Sequence, residues 1–145
     1  MILFSSEIEF ELKNRINMDK LIIDAASEKI FLMIISNASI YNITHENTKI
    51  NYEKLTIIIN DFLLSKNLNI ADINAIYINK GPGSFAGIRN SMSVVKAFNV
   101  AKNIDYYCYN SDDFKDEKDL RHENIPNLCK KYKIKKNLIN PVYLS

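Results

Sequence analysis

Lys80-Gly81-Pro82-Gly83-Ser84-Phe85-Ala86-Gly87-Ile88-Arg89 contains every glycine of the chain and one of its three prolines. Before it stands the apolar run Ala75-Ile76-Tyr77-Ile78, and after it Ile88, Met92, Val95 and Phe98 recur at helical spacing. The stretch reads as strand, tight turn and helix. A chain that places glycine nowhere else uses it here for backbone reasons, either a positive φ or close approach by another group. Three groups could make that approach. A phosphate would sit against free N–H groups at the helix start. However, Gly87 is followed by Ile88-Arg89 rather than Lys-Ser/Thr, and Gly81-x-Gly83-x-x-Ala86 follows the fourth strand, not the first. The chain's own sheet would make a plain strand-to-helix corner. A partner's helix would use the small Gly87, Ser91 and Ser93 beside the bulky Met92, Val95 and Phe98.

Working outward, Leu21-Ile22-Ile23-Asp24-Ala25-Ala26 reads as a central strand that ends in an acid. Ile30–Ile35 and the more polar Ser39–Thr44 follow after short gaps, so these three segments predict an antiparallel meander. Asn51 is placed to cap a helix over 52–66, with Tyr52, Leu55, Ile58, Ile59, Phe62 and Leu63 as its apolar stripe. Ala75–Asn79 is the fourth strand, 84–102 the second helix and Ile104–Tyr109 the fifth strand. Alternation of strand and helix here implies right-handed parallel crossovers. The expected fold is α/β, with a mixed five-stranded sheet (meander, then parallel strands) and two main helices.

The flanks read differently. Residues 1–17 form an N-terminal extension whose alternating Glu7–Lys13 favours a strand, although Ser6 and Glu9 also fit a capping box. Met18-Asp19-Lys20 resembles a natural start, so the domain is drawn over 18–110. Residues 111–124 are crowded with charge and read as a linker or solvated helix with little to bury. Residues 125–145 read as a short tail. Its lysines, Lys130, Lys131, Lys133, Lys135 and Lys136, are either a solvated patch or a contact for nucleic-acid phosphates, with Tyr132 placed to stack on a base.

Composition bounds the rest. The chain has 145 residues, 47% apolar and 25% charged, with a net charge of +2. That size fits one domain, and that charge is too small to mark a nucleic-acid binder. No apolar run reaches membrane-spanning length, and acidic residues stand where an export signal would be basic, which points to the cytoplasm. Cys108 and Cys129 lack C-x-x-C spacing and read as reduced thiols, with neither zinc nor disulfide. His45 and His122 lie far apart and read as exposed surface groups, and no paired-histidine metal motif occurs. Ser84 lacks a G-x-S-x-G elbow. Asp24 ends the first strand and is read as bonding local backbone N–H groups. Nothing here makes a nucleophile, and no cofactor is expected.

The glycine stretch closely resembles the G-P-G-S-F-T-G-L-R signature of the bacterial TsaB family, also called YeaZ, with conservative changes at Ala86 and Ile88. These are tRNA threonylcarbamoyladenosine biosynthesis proteins. Lys96 fits the family's A-K pair, with Val95 in place of Ala. Glu53 and Leu55 resemble its E-x-L, and Pro141-Val142-Tyr143-Leu144 its P-x-Y-L-R close, with Ser145 for Arg. The resemblance covers about 20–110 and the last few residues.

It implies an actin-like, ribonuclease-H-like fold and a non-catalytic partner of TsaD, the enzyme that threonylcarbamoylates an adenosine beside the tRNA anticodon. A TsaE-like ATPase is a further implied partner, and tRNA an indirect one. By position, the partner interface would use Tyr52, Leu55, Thr56 and Ile59 of the first helix. From the second it would use Phe85, Ile88, Arg89, Met92 and Val95, with Gly87 and Ser91 setting the close approach. Gly81, Pro82, Gly83 and Ser84 would be the structural turn.

Three features depart from the family. Its second domain is expected to be largely missing. Its D-T-S-T motif becomes Asp24-Ala25-Ala26-Ser27, leaving Asp24 and Ser27 as a vestigial cofactor site. Its helix glycines become Ser91 and Ala97. Two alternatives stand beside the partner reading: a small nucleotide-binding enzyme using Asp24 and the glycine loop, and a self-associating degenerate domain that pairs through the same helices.

Overall fold

The computed structural model describes residues 19–37 and 39–139. The readings placed on residues 1–17 and on the ending 140–145 lie outside them. The elements are β1 (Lys20–Asp24), β2 (Lys29–Ile35), β3 (Ile40–Glu46), α1 (Lys49–Glu53), α2 (Leu55–Ser65), β4 (Ala75–Asn79), α3 (Phe85–Lys102), β5 (Asp105–Tyr109) and α4 (Ile125–Lys131). They build one five-stranded sheet in the order β3-β2-β1-β4-β5. β1 and β3 run antiparallel to β2, whereas β4 runs parallel to both β1 and β5. The expected meander followed by parallel crossovers is therefore the observed topology.

Local chemistry sets the helix ends. Thr48, not Asn51, is the cap of α1: its side chain accepts from Asn51 N at 3.2 Å, while the Asn51 amide donates to Glu46 O at 2.8 Å. The expected first helix is split at Lys54, whose ψ is 11°. Lys54 N still donates to Ile50 O and Ile58 N to Lys54 O, so the axis continues with a slight break. Ser84 caps α3 by accepting from Gly87 N at 3.2 Å. Asn103, left-handed at φ 56°, ends that helix, a conformation asparagine tolerates.

Both faces of the sheet are covered, which is why β1 is apolar at successive positions. Leu21 and Ile23 point to the main core with Leu55, Ile59, Leu63, Ile88 and Val95 of the helices. Ile22, between them, points to the opposite face, where Met33, Tyr77 and Tyr109 meet Phe114, Ile125, Leu128 and Cys129. This second core corrects the reading of the C-terminal third. The charged stretch 111–124 forms two short 3₁₀ turns and buries Phe114, and the tail begins with helix α4. Ile125, Leu128 and Cys129 share a face at helical spacing, so Asn127 and the following Lys130 and Lys131 stay outside while the apolar side closes on the sheet.

The chain then returns along β5. Asn137 N donates to Tyr106 O at 2.7 Å, and Asn137 Oδ1 accepts from Tyr106 N at 3.0 Å. Lys136 makes an isolated antiparallel bridge with Tyr107. The exposed edge of the sheet is covered by this short return.

Candidate functional site

The glycine corner joins β4 to α3, and its steric demand is now explicit. A Cβ on Gly87 would lie 1.7 Å from Ala25 O, and one on Gly83 would lie 2.1 Å from Ala26 O. Ser84 N donates to that Ala26 carbonyl at 2.8 Å. The group that approaches these glycines is thus the chain's own backbone just after β1. Gly81 has φ 96°, a conformation suited to glycine, and its peptide bond to Pro82 is cis. The corner welds the start of α3 onto the end of β1.

This packing decides where the residues assigned to a partner interface lie. Tyr52, Leu55, Ile59, Gly87, Ile88, Ser91, Met92 and Val95 are buried within the chain. The Tyr52 hydroxyl lies 3.4 Å from Ser84 Oγ, and the Ser91 hydroxyl donates to Gly87 O at 2.8 Å. Only Thr56, Phe85 and Arg89 of that set are exposed. The outward side of the helical layer carries other residues. Ile57 and Leu64 of α2 and Val100 of α3 are 58%, 62% and 77% exposed, and Ala86, Ser93 and Ala97 of α3 are exposed as well. The periodicity of a helix with apolar residues on both sides does not say which side meets the sheet, and the positions implied by the resemblance fall mostly on the inner one.

A second constellation forms at the carboxyl ends of β1, β4 and β5, where parallel sheets place ligands. Asp24 Oδ1 accepts from Ala26 N at 3.3 Å, the local backbone bond expected of it, and also from Asn79 Nδ2 at 3.2 Å. Its Oδ2 lies 2.9 Å from His122 Nε2. The His122 ring stacks on Phe31 with centroids 4.0 Å apart. His122, read as an exposed surface histidine, instead ties the 111–124 stretch over the end of β1. The pairing spans 98 positions, so no local pattern could have shown it.

Asp24, Asn79, Pro82, Tyr109, Leu120 and His122 surround a cleft of about 230 Å³. That is below the roughly 300–1,000 Å³ typical of small-molecule pockets. The Tyr109 hydroxyl is buried and, among the described residues, without a hydrogen-bond partner, and burial followed by the Asp24 charge pushes its pKa upward. Ser27 is exposed and does not line the cleft. The structure therefore separates the two residues of the vestigial cofactor site.

The C-terminal lysines do not act as one patch. Lys131 pairs with Glu117, and Lys136 with Asp105. Tyr132, expected to stack on a base, packs its ring on Phe114 at 5.5 Å and donates its hydroxyl to Glu117 at 3.1 Å. Among the described residues no group of three side chains is placed to hold a metal ion, and no helix is long and apolar enough to cross a membrane.

Comparison with known proteins agrees with this architecture. Residues 45–114 match the family model described as TsaD, tRNA N6-adenosine threonylcarbamoyltransferase. The solved structure of YeaZ from Pseudomonas aeruginosa superposes with a TM-score of 0.59 at 18% identity, covering 64% of this chain and 44% of that one. A second structure, of an uncharacterized protein with similarity to peptidase YeaZ from Pseudomonas aeruginosa, gives the same TM-score and identity over 64% and 43%. Thermus thermophilus RuvC, in complex with a Holliday junction substrate, gives 0.50 at 9% identity over 85% and 83%. No curated protein matches the chain significantly. The chain spans less than half the length of the YeaZ structures it matches. From the end of β3 to Phe114 this chain is similar to the TsaD family model, and its sheet has a fold like that of the YeaZ structures.

Proposed function

We propose that this chain is a non-catalytic partner subunit for a TsaD-like protein in tRNA threonylcarbamoylation, docking through the outward surface of α2 and α3. The observation that carries the reading is the apolar outer side of those helices, within the segment that matches the TsaD model. Ile57, Leu64 and Val100 supply exposed apolar area there, and Ala86, Ser93 and Ala97 are small enough to let another helix approach closely. Residues buried beneath, such as Ile88 and Met92, hold the two helices to the sheet and so shape the surface without touching the partner. The cleft at Asp24 supports a non-catalytic role. Its carboxylate is engaged by Asn79 and His122, and its volume is small.

The test is co-purification and calorimetry with the TsaD-like protein of the same organism. Wild type should bind. Ile57→Asp and Val100→Asp should weaken binding at least about tenfold while leaving the thermal unfolding curve unchanged, since exposed apolar anchors matter only when buried by a partner. Absence of a complex with wild type, or a complex indifferent to both substitutions, sinks the reading. Light scattering of the chain alone separates this partnership from self-association through the same surface.

A further inference from the structure

The side of the sheet away from α2 and α3 carries an unassigned groove. It lies between α4 and strands β1, β4 and β5 and has a volume of about 520 Å³, within the roughly 300–1,000 Å³ of ligand pockets. Its floor is aromatic. Tyr77 and Tyr107 are register partners on adjacent strands, and their rings stack at 5.1 Å with 12° between planes. Tyr77 is buried, while Tyr107 is half-exposed. The rim is basic. Lys20 comes from the start of β1, Lys130 from α4 and Lys133 from the turn after it. No acid is among the described residues that line the groove. Among the described residues Lys20, Lys130 and Lys133 have no ion-pair partner, in contrast to Lys131 and Lys136.

Uncompensated ammonium groups around an aromatic face suit a ligand that is both anionic and flat. Positive rims track phosphates, and tyrosine rings stack on bases of any sequence. A duplex hides its base faces within the stack, so the partner must offer an unstacked base. We propose that this groove binds a nucleoside phosphate, with its base on Tyr107 and its phosphates on Lys20, Lys130 and Lys133. Two sources share that chemistry: a single-stranded RNA segment and a free nucleotide. The inference does not rest on the partnership proposed above, because the groove lies on the other side of the sheet. Loss of binding to a TsaD-like protein would leave it standing.

The experiment is fluorescence anisotropy of a short labelled single-stranded RNA titrated with the full chain, with AMP as competitor. Three phosphate contacts predict a log–log salt slope near 2, hence about a 20-fold loss of affinity between roughly 50 and 200 mM salt. The double variant Lys130→Glu with Lys133→Glu should lose at least about tenfold and flatten the slope. Tyr107→Ala should lose about tenfold, and Tyr107→Phe should keep the affinity. Lys96→Glu, on the exposed side of α3, should change nothing. Displacement of RNA by AMP supports the proposal with a free nucleotide as ligand, and RNA binding that AMP does not displace supports it with a strand. No binding of either probe overturns it. So does equal binding of inorganic polyphosphate, or equal loss with Lys96→Glu. If Tyr107→Ala fails to fold, the lysine pair carries the test, because both side chains are exposed.

Discussion

Gly87→Ala is the most direct probe of how this chain is put together. Alanine is the better helix former, and in a solvated helix interior the exchange would gain about 1 kcal/mol. Here the added methyl carbon meets Ala25 O at 1.7 Å and Ala25 C at 2.9 Å. The first of these is a backbone atom held beside β1, with no rotamer to swing aside. The start of α3 and the end of β1 must therefore separate by more than an ångström, which disturbs the Ser84 N to Ala26 O bond as well.

Overpacking a well-filled site costs about 1–3 kcal/mol, and more where the neighbour is rigid. Position 87 lies in the first turn of α3, so the helix-propensity gain is smaller than in the interior. A net loss of about 2 kcal/mol follows. With a urea m-value of about 1–3 kcal/mol/M for a domain of this size, the midpoint should fall by about 1 M. Equilibrium urea unfolding followed by circular dichroism measures it. Ala97→Gly, exposed on the same helix, is the control and should cost only about 1 kcal/mol. Ala25→Gly should not rescue Gly87→Ala, because the clash is with a carbonyl and not with a side chain. An unchanged or higher midpoint for Gly87→Ala would refute the packing argument and return this glycine to the outer surface.

Other substitutions separate core from surface. Met92→Glu should destabilise on the order of 4 kcal/mol, seen as a large fall in the urea midpoint, because Met92 is buried and its site would take a carboxylate out of water. His122→Ala removes a hydrogen bond and a ring contact, so it should cost about 1–2 kcal/mol and speed amide exchange across 111–124 with little change at β4. Asn137→Ala strips the side-chain acceptor from Tyr106 N and places alanine at φ 61°, for a loss of about 1–2 kcal/mol in urea and faster aggregation through the bared edge of β5.

Burial pushes the Cys108 thiol up to about 11 and the Cys129 thiol up to about 12. Unfolded cysteine titrates near pH 8.5. The folded state holds these protons more tightly, so the stability linked to them is complete below about pH 8.5 and lost as pH rises through 11 and 12. Urea midpoints measured from neutral pH upward should fall over that window, and Cys108→Ala with Cys129→Ala should flatten the dependence. Thiol-reactive probes should label both cysteines only on unfolding.

How far these features can be read from sequence depends on the range of the interaction behind them. Strands β1, β2 and β4 stand out as short apolar runs, and α3 as an apolar stripe behind a glycine turn, because neighbouring residues create those signals. Helix α4 was hidden by its brevity and its lysines, although Ile125, Leu128 and Cys129 carry the helical spacing. The His122–Asp24 pairing and the Tyr77–Tyr107 groove join residues far apart in the chain. They arise only when α4 and the 111–124 stretch cover the second face of the sheet.

By itself, the sequence determined that a strand turns tightly into a helix at Gly81–Gly87, that glycine is required there, and that the order of elements makes a meander followed by parallel strands. Which group approaches those glycines was decided by tertiary structure alone. Ala25 and Ala26 lie some sixty residues earlier, and only the parallel pairing of β1 with β4 brings their carbonyls to Gly83 and Gly87. That contact turns Ile88, Met92 and Val95 inward and leaves Ile57, Leu64 and Val100 outward. Periodicity specifies that a helix has two sides, whereas packing specifies which of them remains for another molecule.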